Sequence, residues 1–241
     1  MILDHIVHFI DEEPKDAVVF WKEHGFHSAI GGQHLDWGTH NALLYMKNCY
    51  IEWLAVEKDE IAQNAAHPLT KLLLHDRTGF GTICIRTTEI DSLDKRLEAD
   101  GFENSGVLDA NRKTADGRLI RWKMLFIKET VSDRLPCPFF IQWEEVDESR
   151  YEGLRATGAI NSSDEQLEIE RLVFGVHDVA ESEEFFARLL GGSLQLANSR
   201  IEFEQTERSP ERLERVYFKN GNQRLEYAGG VYYVPASKGI W

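Results

Sequence analysis

Residues 3–10, Leu-Asp-His-Ile-Val-His-Phe-Ile, read as a strand that leads into a helix begun by Pro14, and the chain repeats this pairing. The segment is short, apolar and rich in β-branched residues, as strands are. Pro14 suits a first helical position, Ala17, Val18, Phe20 and Trp21 follow as an apolar stripe, and Gly25 is the expected stop. The pattern returns at residues 80–87, Phe-Gly-Thr-Ile-Cys-Ile-Arg-Thr, with Thr88 as expected N-cap, Ile90, Leu93 and Leu97 as stripe, and Gly101 as stop. It returns again at residues 169–176, Ile-Glu-Arg-Leu-Val-Phe-Gly-Val. Asp178 is the third expected cap, Phe185, Phe186, Leu189 and Leu190 the stripe, and Gly191 the stop.

Each helix is followed by chain enough for about three strands. In the first unit these fall near residues 26–31, 39–46 and 49–57, in the second near 105–112, 118–127 and 138–145. In the third they fall near 194–204, 212–219 and 223–234, with Asn220-Gly221 as a hairpin signal. A βαβββ unit written three times accounts for the whole chain. The expected fold class is α+β, with modules at 1–57 and 79–146 forming one domain (1–146) and a third, divergent module at 169–241. Residues 58–78 and 147–168 read as linkers, with a short helix within Ala62 to Leu74.

Composition narrows the function classes. The chain has 241 residues, 27 basic against 41 acidic, for a net charge of −14. That balance argues against nucleic acid, which needs clustered Lys and Arg, and against anionic membrane surfaces. No basic segment followed by an apolar stretch opens the sequence, and no apolar run spans a bilayer. Cys49, Cys84 and Cys137 are odd in number and lie among apolar neighbours, so reduced thiols and a cytoplasmic location are expected. Phosphate-cradling glycine loops, a G-x-S-x-G elbow and an activated cysteine are all missing from the sequence.

Three stretches carry a resemblance: Leu3-Asp4-His5, the run Gly31-Gly32-Gln33-His34-Leu35-Asp36-Trp37-Gly38-Thr39-His40-Asn41, and Tyr50-Ile51-Glu52-Trp53-Leu54. The second unit adds Asn111 to Gly117, Leu119-Ile120-Arg121-Trp122 and Phe139-Phe140-Ile141-Gln142-Trp143. Over residues 1–146 the chain resembles the glyoxalase-like branch of the vicinal oxygen chelate superfamily, which includes glyoxalase I, extradiol dioxygenases, fosfomycin-resistance proteins and antibiotic-sequestering proteins. The resemblance implies two curved sheets side by side, forming a cup with helices outside and a small-molecule site within.

It also implies a metal question. In metal-dependent relatives a His on the first strand and a Glu on the fourth bind a divalent ion, and His5 and Glu52 fall on those positions. Strand alternation puts His5, Val7 and Phe9 on one face, and Tyr50, Glu52, Leu54 and Val56 on one face. Imidazole and carboxylate suit Zn, Fe, Mn or Ni. The second unit offers Thr82 and Gln142 at the corresponding positions, both weak ligands, and the third offers Arg171 and Glu226, where a guanidinium repels a cation. His34 could complete a nonstandard set. The reading taken is no metal cofactor and a hydrogen-bonding pocket, with a structural His5 as the bland alternative.

Around that pair, His34, Thr39 and Asn41 are read as a polar rim fixing a ligand's orientation, or simply as a turn with a polar strand start. Gly31-Gly32 is expected to use positive φ, and Gly38 to turn the chain into the next strand. His40 is expected to pack outward. Arg112, Trp122 and Gln142 are read as the other half of the cup. The bland readings are a surface Arg112 paired with Asp109 or Asp116, and Trp122 and Trp143 as core filling. Asp116-Gly117 reads as a hairpin turn, and Glu181 to Glu184 as a solvated helix face.

Two functions from different classes follow. One is a lyase, isomerase or dioxygenase-type enzyme working through an enolate-like intermediate, with His5 or Glu52 as base or metal ligand and Arg112 with Gln142 holding the oxyanion. The other is a binding or sequestering protein without turnover; a scaffold role for the extra unit is a third. The third unit carries apolar residues at Leu194, Leu196, Val216, Phe218, Val231, Tyr232 and Tyr233 with no partner sheet in the sequence, so a homodimer through that unit is expected.

Overall fold

The computed structural model describes residues 1–113 and 119–236, with Arg112 and Lys113 described for their backbone alone. The first unit runs β1 (Ile2–Phe9), α1 (Pro14–Glu23), β2 (Ala29–His34), β3 (Thr39–Tyr45) and β4 (Tyr50–Val56). Its last three strands form an antiparallel meander that returns β4 parallel to β1. After α2 (Asp59–Asn64) and α3 (Pro68–Asp76), the second unit repeats this with β5 (Gly79–Arg86), α4 (Ile90–Ala99), β6 (Leu108–Lys113), β7 (Leu119–Leu125) and β8 (Phe139–Trp143). β1 and β5 pair antiparallel, giving one curled sheet in the order β2-β3-β4-β1-β5-β8-β7-β6.

Helix boundaries follow local chemistry. Pro14 opens α1, and Gly25, Gly101 and Gly191 follow helix ends with φ of 86°, 84° and 82°, which cost a glycine nothing. Asp178 caps the third unit's helix, accepting the Glu181 amide at 2.9 Å, a contact worth about 1 kcal/mol. Thr88 does not cap α4; the helix starts at Ile90, and Thr87 Oγ1 takes the Glu89 amide instead. The stretches read as linkers are largely helical. Beyond α2 and α3, residues 147–156 form α5 (Asp147–Ala156), anchored by Tyr151, whose hydroxyl donates to the Met46 carbonyl at 2.9 Å.

The third unit departs from the order of the first two. It consists of β9 (Ile169–Val176), α6 (Val179–Leu189), β10 (Arg200–Gln205), β11 (Arg212–Phe218), β12 (Gln223–Tyr227) and β13 (Gly230–Val234), in a sheet ordered β10-β9-β11-β13-β12. Ile201 and Phe203 bury beside Phe186 of α6, and β10 lies directly parallel to β9, the place taken by a fourth strand elsewhere. β11 then pairs antiparallel on β9's other side, as β1 does with β5. Residues 223–234, expected as one strand, are a hairpin whose turn holds Ala228 and Gly229 at φ 42° and 80°. Asn220-Gly221 is a turn, but β13 lies between the two strands it joins.

Two cores result. On the cup face Val7, Phe9, Leu54, Cys84, Phe126, Phe139 and Ile141 pack with Leu69, Leu72 and Leu73 of α3. On the opposite face Ile6, Ile51, Trp53, Ile83 and Phe140 pack against α1, α4 and the third unit's Leu172, Phe174, Val216, Phe218 and Tyr232. The two sheets approach closely there: a Cβ on Gly230 would lie 2.7 Å from the His8 ring. The apolar face that the sequence left without a partner is therefore covered within its own chain, and the reason given for a dimer falls with it. Val231 and Tyr233 point the other way, with Tyr233 stacked on Tyr217. No described helix is long and apolar enough to cross a membrane.

Candidate functional site

A bulge in β1 builds the site. β1 and β5 pair Leu3 with Ile85 and then His5 with Cys84, so Asp4 has no partner across the ladder. Such a bulge re-aims side chains. It brings Asp4 and His5, neighbours that strict alternation would separate, into contact at 2.8 Å between Asp4 Oδ1 and His5 Nδ1. His5 Nε2 then faces Glu52 Oε2 at 3.6 Å. All three side chains are buried.

Asn41 extends this line. Its Oδ1 accepts the Gly32 amide at 2.8 Å and its Nδ2 donates to Glu52 Oε1 at 2.5 Å. The amide's orientation follows from its neighbours, since the Gly32 N–H needs an acceptor and the carboxylate a donor. Gly31 and Gly32 do not use positive φ. Gly31 is needed for space, because a Cβ there would fall 1.9 Å from Asn41 Oδ1. Gly38 does turn the chain, at φ 66°.

Asp4 is held from behind. Trp143 Nε1 donates to its Oδ2 at 3.0 Å and Arg86 Nη1 lies 3.6 Å away. Arg86 also donates to Asp147 at 2.7 Å, and Arg150 lies over the Trp143 ring at 4.0 Å. Burial opposes ionisation of Asp4. The hydrogen bond and charge of His5, with Arg150 and Arg86, outweigh it and hold the carboxyl below its usual range. Asp4 accepts from Nδ1 and so orients the imidazole with Nε2 turned towards Glu52. Tyr50 stacks on the imidazole at 4.4 Å and Phe139 meets it edge-on at 5.4 Å.

The sequence-predicted residues thus divide. His5, Glu52 and Asn41 come together. Thr39 and His34 pair further along the strands, His34 Nδ1 lying 2.9 Å from Thr39 Oγ1. His34 packs on Trp37, which stacks on His67 at 3.7 Å. His67 is a residue the sequence did not single out. Both its ring nitrogens are buried without a hydrogen bond, and burial, with His34 nearby, pushes its pKa down to about 3. Trp122 packs on Trp143, at 5.4 Å, on the cup side. Arg112's side chain and the Asp116-Gly117 turn lie outside the described residues.

Gln142 is on the wrong face for the cup. Its Oε1 accepts the Ile90 amide at 2.8 Å, capping α4 on the helix side. Register explains the difference: Val7 stands opposite Glu52, and Cys84, Val7's counterpart, stands opposite Phe139. Phe139 therefore occupies the place assigned to Gln142, and an odd offset along a strand reverses the face. The missed residues are Asp4, Arg86, Trp143 and Arg150. Asp4 and Trp143 carried a signal, as parts of Leu3-Asp4-His5 and Phe139-Phe140-Ile141-Gln142-Trp143; Arg150 lay in a presumed linker.

The donor set does not fit a divalent metal. His5 Nε2 and Glu52 could share an ion, but a protein site supplies three or four ligands. Phe139 replaces the second carboxylate, and Thr82 donates its hydroxyl to the Cys137 carbonyl at 3.0 Å. Asp4, His5 and Cys84 bring ligand atoms within 4.8 Å of one another. However, Asp4 is occupied by His5 and Trp143, which leaves that group short of the three or four ligands a site supplies.

One cavity is lined by none of His5, Glu52 and Gln142. It holds about 220 Å³ and lies between α3, Phe126, Phe139 and residues 127–138. The pocket expected at His5, Glu52 and Gln142 is not this cavity: α3, which the sequence only sketched as a short helix, packs into the cup.

The profile of the glyoxalase-like domain family matches residues 3–190. Among curated proteins, no sequence matches. Among solved structures, a hypothetical protein from Staphylococcus aureus is 24% identical, aligning 95% of this chain with 97% of its own at a TM-score of 0.80. Methylmalonyl-CoA epimerase from Mycobacterium tuberculosis is 15% identical over 62% of this chain and 91% of its own, at 0.41. The Streptomyces coelicolor enzyme of that name, a variant in complex with 2-nitronate-propionyl-CoA, is 16% identical over 60% and 99%, at 0.42. The first of these likenesses shows the fold alone. With a family profile matched over most of its length and the paired βαβββ units in place, the chain belongs to the glyoxalase-like domain family.

Proposed function

We propose that the chain is a metal-independent acid–base enzyme acting on a small carbonyl compound, moving a proton to and from the carbon beside the carbonyl. The line Asp4–His5–Glu52, with contacts of 2.8 and 3.6 Å, carries this reading. Asp4 orients the imidazole, and His5 Nε2 and Glu52 are two neighbouring groups able to take up and return a proton, the chemistry by which an isomerase or lyase passes through an enolate. Asn41 fixes the Glu52 carboxylate. Arg86 and Arg150 support Asp4 rather than a ligand, and Gln142 has no part in holding the oxyanion.

Solvent-deuterium exchange tests this. A panel of 2-oxo acids and β-keto acids is incubated with the protein in D2O and followed by proton NMR. Exchange at the adjacent carbon is expected in the wild type, unchanged by chelators, and lost in His5→Gln and Glu52→Gln at unchanged melting temperature. No exchange of any compound, with those that bind held equally well by both variants, would favour a binding protein without turnover.

A further inference from the structure

The cavity of about 220 Å³ lies apart from His5 and Glu52, on the other side of Phe139. Its apolar lining is Leu69 and Leu72 of α3, Phe126 stacked on Phe139 at 5.1 Å, and Leu135, with Thr82, Ser105, Thr130 and Ser132 beside them. Its rim is basic, with Lys71, Lys128 and Arg134. Among the described residues neither lysine has an ion-pair partner, whereas Arg134 meets Glu181 at 3.5 Å. Three cations at one opening stand out in a chain with net charge −14. Among the described lining residues the acidic one is Glu129, and its Oε1 accepts the Cys137 amide at 2.9 Å.

The walls are also built in advance. Arg212 of the third unit holds Asp76 at the end of α3 with bonds of 2.6 and 2.8 Å. The same guanidinium donates to the Ser132 and Arg134 carbonyls at 2.9 and 2.7 Å, and Glu211 accepts the Leu135 amide at 3.2 Å. Thr82 and Glu129 fix Cys137. Preformed, mostly apolar concavities with a few placed charges are what small-molecule sites look like.

We infer that this cavity binds a small organic acid, its apolar body against Leu69, Leu72, Phe126 and Phe139 and its carboxylate between Lys71 and Lys128. Size sets the class. An apolar cavity of about 150 Å³ takes benzene, so about 220 Å³ takes a ring or branched chain with two or three further atoms. The site stands independently of the chemistry at His5 and Glu52.

Calorimetric titration with phenylacetate and its uncharged analogue phenylacetamide tests the inference, with amide NMR shifts locating the probe. Phenylacetate is expected to bind one to one at about 1 mM or tighter. Phenylacetamide is expected to bind about tenfold more weakly, and each of Lys71→Gln and Lys128→Gln to cost about two- to fivefold. These exposed substitutions leave the fold intact. Shifts should centre on Phe126, Cys137 and Phe139 and persist in Glu52→Gln. The inference is overturned if phenylacetate, benzoate and 3-methylbutanoate all fail to saturate by about 10 mM. Equal binding of acid and amide overturns it too, as does binding abolished by Glu52→Gln but indifferent to the lysines.

Discussion

Replacing Arg212 with Met should destabilise the protein by about 3–5 kcal/mol, the range for removing one partner of a buried ion pair. The guanidinium is 9% exposed and the Asp76 carboxylate 4%. Arg212 donates twice to Asp76 and once each to the Arg134, Ser132 and Glu211 carbonyls. Its loss leaves a buried carboxylate supported by His75 Nδ1 at 2.7 Å, which places the cost towards the lower end. For a chain of this length the melting temperature should fall by roughly 6–20 °C. Asp76→Leu alone should cost a similar amount. The double variant should cost clearly less than the sum, because an apolar replacement of both charges leaves neither one stranded. Urea unfolding of the four proteins gives the coupling energy directly. Additivity within about 0.5 kcal/mol would refute the reasoning, since it would mean that the third unit does not hold α3 through this pair.

Acid stability should depend on His8, buried between the sheets with Nε2 donating to the Ala228 carbonyl at 3.0 Å and Nδ1 accepting from Tyr232 at 2.5 Å. Burial lowers its pKa from 6.5 to about 4, against the carbonyl's upward pull. Between these values the unfolded chain alone takes the proton, so stability is full above pH 6.5, falls towards pH 4 by about 3 kcal/mol and levels off below. His8→Asn should flatten that limb in urea titrations across pH, and an unchanged slope would assign it elsewhere. Elemental analysis of purified protein should find no stoichiometric transition metal, and a metal that raises the melting temperature in wild type but not in His5→Gln would contradict the donor argument. Gly31→Ala should cost about 1–3 kcal/mol by displacing Asn41 from Glu52, and neutral unfolding curves would sink the close-approach account. Light scattering should give the mass of one chain, 27.7 kDa, because the third unit's apolar face is already covered; a dimer mass would point to its outer face.

The repeated strand-helix-glycine pattern was legible because each part is local. Apolar spacing, Pro14, Asp178 and the three glycines act within a turn or two of chain, so the modules, their helix ends and the glyoxalase-like likeness could be read without contacts. His5 and Glu52 were legible through the resemblance, and alternation along each strand set the faces of His5, Glu52 and Asn41. What failed was relative. Gln142 was assigned by counting from Glu52, but its face depends on which residue of β8 lies opposite Cys84, a register fixed by pairing across the sheet. Asp4 joined the site through a bulge that exists only against β5. Arg86 and Arg150 reached it because strand β5 and helix α5 converge on one end of the cup. The third unit shows the division most plainly: its sequence determined strands and a helix, whereas only the tertiary structure decided that β13 would lie between β11 and β12 and that the sheet would cover its own chain. Local patterns record which face of an element is apolar; which partner covers that face is decided by packing between residues far apart in the chain.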